Sequence, residues 1–315
     1  MRSCARCGAP AVVYQQHTGL SLCGRCFLED VAGRVRAELE RWGLVGPGDR
    51  VLLAVSGGKD SFTLLDVMAG LLGPGRVAAL TIDEGGPGGW RLREAEPLMR
   101  HARSLGVDYI VVSFREEYGA GLEEMVERAR RRGLSVKPCT ICGVLRRRLM
   151  DEAARRHGFT KLATAHNLDD EAQTAVMNIV RGDWIGLVRQ HPLAALQGIG
   201  DFVPRIKPLR RIHEYETALY SKLHGYGPPP YECPYLAMQP TLRLRVRLAM
   251  YSITWLDDPG APGRLIEVLD ELLEPHARGL SEMPRLPKCE MCGRPTSYGR
   301  RLCKACEILL ALGLA

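Results

Sequence analysis

The sequence has little of what would place it in several common protein classes. No stretch approaches about 18 apolar residues, so no segment is long enough to predict a transmembrane helix. The first residues, MRSCARC, lack the apolar core of a secretory signal peptide, and we expect a cytoplasmic protein with no membrane partner. In that compartment, closely spaced cysteines more often bind metal or do redox chemistry than form structural disulfides.

Lysine is also scarce, and the basic charge is carried almost entirely by arginine. The chain has 36 Arg and 7 Lys among its 43 basic residues, and its formal net charge is +7 at pH 7. A modest excess of positive charge is compatible with a phosphate-rich partner such as tRNA. Much of this charge is equally expected to do no more than solvate the surface.

The cysteines, in contrast, are abundant and fall into two sets of four with three left over. The sets are Cys4, Cys7, Cys23 and Cys26; then Cys289, Cys292, Cys303 and Cys306. Their spacings are C-x2-C-x15-C-x2-C and C-x2-C-x10-C-x2-C. Two CxxC pairs can complete a tetrahedron of thiolates around one ion, so each set predicts a structural zinc ribbon. Reduced, unliganded pairs are the alternative.

The three remaining cysteines, Cys139, Cys142 and Cys233, lie in the body of the chain. Three thiolates can hold a metal centre that keeps a free position for chemistry, whereas four close a structural site. Persulfide chemistry, simple buried thiols and a third zinc remain alternatives. A third zinc would need a fourth ligand, which His213 or His224 could supply.

Apolar strand-like runs alternate with helical patterns from residue 50 to about 182. This alternation predicts βαβ units and an α/β fold with a doubly wound parallel sheet. The loops SGGKDS, TIDEGGPGG and TAHNLDD all follow strands, and we expect them to meet at the carboxyl edge of the sheet, where ligands bind. The segment TLRLRVRL fits either a strand or the start of a helix.

The predicted organisation has five parts. They are an N-terminal zinc ribbon (1–27), a linking helix (28–49), a catalytic domain (50–225), a helical extension that completes the three-cysteine site (226–285) and a C-terminal zinc ribbon (286–315).

The SGGKDS loop carries the nucleotide-binding signal. It lacks the longer spacing of a Walker A loop. Gly57 and Gly58 nevertheless allow close approach of phosphate, the amides of residues 59–61 face an anion at a helix N-terminus, and Lys59 adds charge.

In this context, VLLAVSGGKDS resembles the PP-loop of the N-type ATP pyrophosphatases, which have a Rossmann-like fold and cleave ATP to AMP and pyrophosphate. The segments KPCTICGVLRR, KLATAHNLDDEAQTAVMNIVRGD and ECPY, with the ribbons, extend this resemblance to the TtuA-type tRNA 2-thiouridine synthetases and the related wobble-uridine thiolases. The resemblance implies an enzyme that adenylates the 2-carbonyl oxygen of a tRNA uridine and replaces this oxygen with sulfur.

The resemblance also implies the site residues and cofactors. ATP and Mg²⁺ would bind at Ala54, Ser56, Gly57, Gly58, Lys59, Asp60, Ser61, Ile82, Ala165 and His166. Asp170 and Arg146 would be catalytic, and Cys139, Cys142 and Cys233 would hold a [4Fe–4S] cluster beside the two Zn²⁺ sites.

Three of these residues have open alternatives. Arg146 stands where family members commonly have a catalytic Lys, and an arginine keeps the charge but cannot serve as a proton donor or base. Asp170 could be an ordinary helix N-terminal acid, with Asp169 as the cap. His166 could be a strand-end histidine without a catalytic role.

The resemblance favours the T-loop uridine at tRNA position 54, with the anticodon wobble uridine as the alternative. It implies a ubiquitin-like sulfur carrier with a C-terminal thiocarboxylate, or free sulfide, as the donor, and a homodimer. A non-catalytic tRNA-binding scaffold is the competing hypothesis from another class, and another PP-loop amidase would leave the three body cysteines unexplained.

Overall fold

In the computed structural model, the described residues are 2–196, 201–227, 233–235, 242–280 and 286–315. The strands are β1 (Val13–Gln15), β2 (Leu20–Leu22), β3 (Val51–Ala54), β4 (Val77–Asp83), β5 (Asp108–Ser113), β6 (Lys161–Thr164) and β7 (Arg205–Ile206). β1 and β2 form an antiparallel hairpin, and the other five form a parallel sheet in the order β5-β4-β3-β6-β7.

Helices connect and cover the strands. They are α1 (Gly24–Arg41), α2 (Lys59–Leu72), α3 (Trp90–Ser104), α4 (Phe114–Tyr118), α5 (Leu122–Arg131), α6 (Pro138–Arg156), α7 (Leu168–Arg181), α8 (Trp184–Val188), α9 (Glu214–Leu223), α10 (Leu242–Leu256), α11 (Ala261–Gly279) and α12 (Lys304–Leu312). Within the described part of the chain, none of them is long and apolar enough to cross a membrane.

The central strand β3 is apolar on both sides because both faces of the sheet are covered. Val51 and Leu53 pack with residues of α1, α2, α3 and α7 in one core. Leu52, between them, packs with residues of α5, α6 and α12 in a second core. Successive strand side chains point to opposite faces, so helices on both faces bury a continuous apolar run. The predicted doubly wound α/β fold is confirmed.

The strand order changes direction between β3 and β6. Ala54 at the end of β3 lies beside Thr164 at the end of β6 and beside Leu80 of β4. The loops that leave β3 and β6 therefore begin next to each other. In open α/β sheets, ligands bind at this switch point, in the crevice outside the carboxyl ends of the strands.

The two ribbons repeat one backbone motif. The N–H of Cys4 donates to the carbonyl of Ala9 at 2.7 Å, and the N–H of Cys289 donates to the carbonyl of Arg294 at 2.7 Å. In each ribbon the third cysteine, Cys23 or Cys303, is the N-cap of the following helix, α1 or α12. The fourth cysteine of each ribbon therefore lies in the first turn of a helix.

This arrangement corrects one predicted helix start. The linking helix was expected from residue 28, but it begins at Gly24. The reason is that the second CxxC pair of the ribbon lies at the N-cap and in the first turn of the helix. The ambiguous segment TLRLRVRL is largely helical, since α10 starts at Leu242. The short helix α4, at the end of β5, was not predicted.

Polar contacts hold the ribbon and the peripheral helices on the sheet. Arg210 is buried between Glu38 of α1 and Asp270 of α11, and its Nη1 atom donates to both carboxylates at 2.8 Å. Gln15 of the N-terminal ribbon donates from Nε2 to Glu216 of α9 at 2.9 Å. Removing one partner of a buried ion pair costs about 3–5 kcal/mol, so these contacts fix the relative positions of α1, α9 and α11.

Candidate active site and metal centres

The SGGKDS loop passes directly from a strand into a helix. β3 ends at Ala54, Gly58 is the N-cap of α2, and no side chain caps this helix N-terminus. The first backbone N–H groups of a helix have no partner within the helix, and they attract anions. The loop therefore offers amide donors for phosphate, as the sequence predicts.

Gly57 shows why the loop needs glycine. Its φ is +101°, and a Cβ at this position would lie 2.7 Å from the carbonyl carbon of Glu94 in α3. The hydroxyl of Tyr226 donates to the carbonyl of Gly57 from the other side. Ser61 holds the loop from within, because its Oγ accepts the N–H of Ser56 at 2.8 Å.

A cavity of about 250 Å³ opens above this loop at the switch point. It is lined by Ala54, Val55, Ser56, Gly58, Asp60, Ser61, Leu80, Ile82, Glu84, Arg91, Arg146, Met150, Thr164, Ala165, His166 and Asp170. Ten of the residues singled out from the sequence are therefore brought together around one space. Two others, Gly57 and Lys59, belong to the loop but do not line the cavity.

The side chain of Lys59 points to carboxylates. Its Nζ donates to Asp60 at 2.9 Å and to Glu214 of α9 at 3.2 Å. Burial lowers the pKa of Lys59, but the carboxylates of Asp60 and Glu214 outweigh this and raise it. Its positive charge therefore stays close to the loop, in a network that the loop sequence alone does not reveal.

Asp60 is the carboxylate of the loop that lines the cavity, and two neighbours orient it. The hydroxyl of Thr217 donates to its Oδ1 at 2.6 Å, and Nδ2 of Asn167 donates to the same atom at 3.1 Å. A carboxylate held in this way at the phosphate end of a nucleotide cavity is a suitable ligand for Mg²⁺.

Asp170 is a helix N-terminal acid that also lines the cavity. It is the third residue of α7, and it completes a capping box in which Asn167, not Asp169, is the N-cap. The expectation for Asp169 was wrong because its carboxylate accepts the N–H of Glu214 at 2.7 Å instead. Asp170 also lines the cavity, and burial raises its pKa to about 6 although nearby Arg243 opposes the shift.

His166 lies beside Asp170 at the same edge. Its Nδ1 is 2.9 Å from the hydroxyl of Thr164, at the end of β6. Burial, assisted by the charge of Lys207, lowers the pKa of His166 to about 4. The ring is therefore neutral at physiological pH, and it can donate or accept a hydrogen bond without carrying charge.

Glu84 and Arg91 line the cavity but were not identified from the sequence. Glu84 accepts from Nε of Arg91 at 3.0 Å and from Nη1 of Arg146 at 3.3 Å. This buried carboxylate therefore joins two arginines, one from α3 and one from α6. The only sequence signal was the position of Glu84 immediately after β4, at the carboxyl edge of the sheet.

Helix α6 carries the central cysteine pair and Arg146. It begins at Pro138, so Cys139 and Cys142 lie in its first turns, as predicted. Cys139 is exposed, whereas Cys142 and Cys233 are partly buried. Burial, and next the carboxylate of Glu84, raises the pKa of Cys142 to about 11, and the charge of Cys233 acts in the same direction.

The two ribbons differ from this trio in how closely their thiols approach one another. Among the described residues, each four-cysteine set has sulfur atoms within 4.8 Å of one another, and Cys139, Cys142 and Cys233 do not form such a group. The sulfurs of Cys7 and Cys23 are 3.5 Å apart, and those of Cys292 and Cys303 are 3.7 Å apart. Zn–S bonds of about 2.3 Å fit these spacings, so each ribbon suits one tetrahedral Zn²⁺.

Among the described residues, the three body thiols are not gathered within 4.8 Å of one another, as thiols that share a single ion would be. A polynuclear cluster does not need such a close approach, because each thiolate binds a different iron. Neither histidine considered as a fourth zinc ligand is part of a metal-binding group with them among the described residues. His213 packs on His17, and His224 packs on Tyr220 with Nδ1 3.0 Å from the Tyr220 carbonyl.

Comparisons with known proteins agree with this geometry. The PP-loop domain family matches residues 34–225, and the family described as "2-thiouridine synthetase TtuA, N-terminal LIM domain" matches residues 3–28. The chain is 31% identical to a tRNA 2-thiolation protein NcsA of Haloferax volcanii, over 97% of this chain and 98% of that protein. It is 32% identical to a tRNA-5-methyluridine(54) 2-sulfurtransferase of Thermus thermophilus, over 97% of this chain and 90% of that protein.

A solved structure has the same fold as this chain over nearly the full length of both. It is a U34-tRNA thiolase NcsA from Methanococcus maripaludis with its [4Fe-4S] cluster. The TM-score is 0.78 at 27% identity, and the match covers 98% of this chain and 95% of that chain.

Proposed function

The chain belongs to the PP-loop family of tRNA 2-thiolation proteins, and on this premise we propose that it is an ATP-dependent tRNA uridine 2-sulfurtransferase. The observation that carries the proposal is the cavity at the switch point. On one side it is lined by Ser56, Gly58 and Asp170, and on the other by Arg146 of α6, the helix that bears Cys139 and Cys142. The cavity is thus lined by a nucleotide loop and by the helix that carries two of the three body cysteines, although no cysteine lines the cavity itself among the described residues.

ATP occupies this cavity with its triphosphate at the N-terminus of α2. The amides of residues 59–61 and the charge of Lys59 neutralise the phosphates, and Asp60 holds Mg²⁺ together with them. The apolar side chains of Ala54, Ile82 and Ala165 line the same cavity and contact the adenosine. Small-molecule sites are typically lined by apolar side chains, with a few polar groups that fix the orientation of the ligand.

The first step is adenylation of the uridine. The 2-carbonyl oxygen attacks the α-phosphorus, pyrophosphate leaves, and N3 of the base loses its proton. Asp170 is the proton acceptor that we assign to the N3–H, because its pKa of about 6 leaves it ionised at pH 7 and still basic enough to accept a proton. Arg243, whose Nη1 is 3.2 Å from Asp170, holds this carboxylate in place.

The second step replaces the activated oxygen. A sulfur nucleophile attacks C2, and AMP leaves with the former carbonyl oxygen. Arg146 stabilises the negative charge that develops on the departing phosphate, and it does so without proton transfer, because its guanidinium stays charged. Cys139, Cys142 and Cys233 would hold the [4Fe–4S] cluster, which would supply an iron without a protein ligand for the binding of sulfide. The two four-cysteine sets would each hold a structural Zn²⁺.

For the substrate we propose the uridine at tRNA position 54. The relative from Thermus thermophilus, named for that position, supports this choice. The solved NcsA is named for U34, and it favours the wobble position as the second candidate. The sulfur donor is, in our proposal, a ubiquitin-like carrier with a C-terminal thiocarboxylate or free sulfide.

We also propose a homodimer. Four apolar side chains on and beside α8 are exposed: Ile179, Val180, Trp184 and Ile185. Several exposed large apolar side chains within seven residues of the chain are a feature of protein interfaces. Light scattering of the purified protein tests this directly, and a monomer at micromolar concentration contradicts it.

The test of function uses anaerobically purified protein with ATP, Mg²⁺, sulfide and unmodified tRNA. We expect AMP and pyrophosphate in equal amounts with 2-thiouridine in the digested tRNA. Replacing U54 by cytidine in the transcript should abolish the product, and replacing U34 should not. The reverse pattern supports the wobble position. ADP formation, or nucleotide turnover with no thiolated base in either transcript, overturns the proposed function.

A further inference from the structure

A second, larger cleft lies between α6, residues 202–207 and the C-terminal ribbon. Its volume is about 640 Å³, and among the described residues its lining contains seven basic side chains and one acidic side chain, Asp151. Four of the basic side chains pair with carboxylates at the edge of the cleft or beyond it: Arg148, Lys207, Arg294 and Lys304. Arg147, Arg205 and Lys304 come from three different parts of the chain, which are α6, β7 and the first residue of α12. The cleft therefore concentrates positive charge from elements far apart in sequence.

Three arginines of this cleft, Arg147, Arg189 and Arg205, form no ion pair with a carboxylate among the described residues. Nε of Arg205 is buried and makes no hydrogen bond with them, and the charge of Asp151 acts on Arg205 without an ion pair. Desolvation, and then the charge of neighbouring arginines, lowers the pKa of both Arg147 and Arg205. Placing like charges together and leaving them unpaired is costly, and a bound anion removes this cost.

Many other arginines of the protein are paired. In the two ribbons, a carboxylate of the same chain pairs with each of Arg6, Arg25, Arg294, Arg300 and Arg301. Arg243 and Arg247 of α10 pair with Asp170 and Glu214 at the active site. Arg147, Arg189 and Arg205 differ from these in having no such ion pair among the described residues.

Helix α6 separates this cleft from the ATP cavity. Arg146 and Met150 line the cavity, while Arg147 and Asp151, one residue further on, line the cleft. A helix with its side chains is about 10–12 Å across, so an anion in the cleft lies within one or two nucleotides of the adenylation site. The exposed ring of Phe202 also lines the cleft and offers a surface on which an unpaired base can stack.

We propose that this cleft binds backbone phosphates of the tRNA beside the target uridine, and that Arg147, Arg205 and Lys304 are the residues that hold them. The proposal rests on the proposed function, because it names the surface by which that substrate is bound. It makes the C-terminal ribbon part of the substrate site through Lys304, in addition to its structural role.

The experiment compares Arg147→Glu with Arg103→Glu in the full-length protein. Arg103 is an exposed arginine near the end of α3, outside the cleft, so both variants make the same charge change. Equilibrium binding of tRNA is measured by anisotropy across a salt series, and ATP binding and the melting midpoint are measured for both. Lys304→Ala is a second variant, because this side chain is exposed and its loss disturbs no buried contact.

We expect Arg147→Glu to raise the Kd for tRNA at least tenfold and to reduce the slope of log K against log salt by about 1, because one phosphate contact is lost. Lys304→Ala should reduce the slope similarly with a smaller change in Kd, and Arg103→Glu should match wild type. ATP binding and melting should be unchanged.

Equal Kd and equal slope for Arg147→Glu, Lys304→Ala and Arg103→Glu overturn the cleft proposal while leaving the proposed function intact. If the wild-type protein binds no tRNA at all, the proposed function itself is contradicted. If Arg147→Glu changes only ATP binding or the melting midpoint and leaves tRNA binding unchanged, the cleft assignment is also contradicted.

Discussion

The ribbons at the two ends and the catalytic edge of the sheet use cysteine in opposite ways. In each ribbon, four thiols approach one another closely enough to share one ion. At the catalytic edge, Cys139 is exposed, and Cys142 and Cys233 do not close such a group among the described residues. A metal with four protein ligands has no position left for chemistry, whereas a centre with fewer ligands does.

The surroundings of the cysteines also differ between the two regions. The ribbon backbones are regular, and the same hydrogen-bonded turn occurs in both of them. The catalytic edge instead combines a glycine at a φ that other residues rarely adopt, a buried carboxylate between two arginines and an aspartate with a raised pKa. Groups of this kind cluster at functional sites, where they lower the stability of the fold. The comparison predicts that ribbon variants lose structure and that edge variants lose activity.

The largest effect is expected in a ribbon. Cys306→Ala removes a buried ligand, and metal-binding free energies of about 10–16 kcal/mol for zinc-finger peptides are folding energy in such modules. We expect the protein to lose about one of its two zinc ions and the C-terminal ribbon to become sensitive to protease. Zinc analysis and limited proteolysis check this, with Cys139→Ala as the control that keeps both ions. Unchanged zinc content in Cys306→Ala would show that the ligand assignment is wrong.

The next effect concerns the nucleotide loop. Gly57→Ala forces a side chain into a φ of +101° and against the Glu94 carbonyl, a strain of about 1–3 kcal/mol before the clash is counted. We expect a lower melting midpoint and at least a tenfold loss of ATP affinity. Gly58→Ala is the matched control, because a Cβ there meets no atom within 4 Å and its φ is −75°. Its melting midpoint should equal that of wild type, and equal melting of both variants would contradict the account.

Arg146 gives a smaller effect and separates charge from proton transfer. Arg146→Gln removes the charge beside Glu84 and should slow thiolation by about 10²–10³-fold, the usual loss for a group that stabilises developing charge. Arg146→Lys should retain most of the activity. The readout is kcat for thiolated nucleoside with saturating ATP and tRNA. A glutamine variant as active as wild type would remove Arg146 from the chemistry.

The smallest effect is a pH dependence. The pKa of Asp170 is raised to about 6 by burial, and only its ionised form accepts a proton, so the rate of adenylation should be half maximal near pH 6 and level above pH 7. Asp170→Asn should be slow and nearly independent of pH in this range. Since the pKa in the folded state exceeds the unfolded value of about 3.9, the same group makes the fold less stable as pH rises from about 4 to 6. A wild-type rate that is flat from pH 5 to 7 would contradict this role.

The features that could be predicted from sequence are those with a local signature. Apolar runs such as 51–54 predict their strands because both faces of the sheet are covered, and the cysteine spacings predict both ribbons. The two-residue strand β7 and the short helix α4 have no such signature, and both were missed.

The contacts that tune the site depend instead on the fold. Glu214 accepts a hydrogen bond from Lys59, which lies 155 positions away in the sequence. The carboxylate of Asp169 accepts the backbone N–H of Glu214 and does not cap α7. Glu84 becomes important only because α3 and α6 each place an arginine beside it. No pattern within a window of the chain contains these pairs. The sequence therefore shows where the site lies, whereas the packing of the fold determines which of its charged groups are paired.

In our proposal, the three body cysteines form an open iron–sulfur centre and the other eight bind zinc. Iron, acid-labile sulfide, zinc and thiolated nucleoside are therefore measured on the same anaerobic preparations of wild type and Cys233→Ala. We predict about four irons and two zincs per chain in wild type, and no iron, two zincs, intact ATP binding and no thiolation in the variant. Full thiolation by wild-type protein that has been freed of iron would contradict the account.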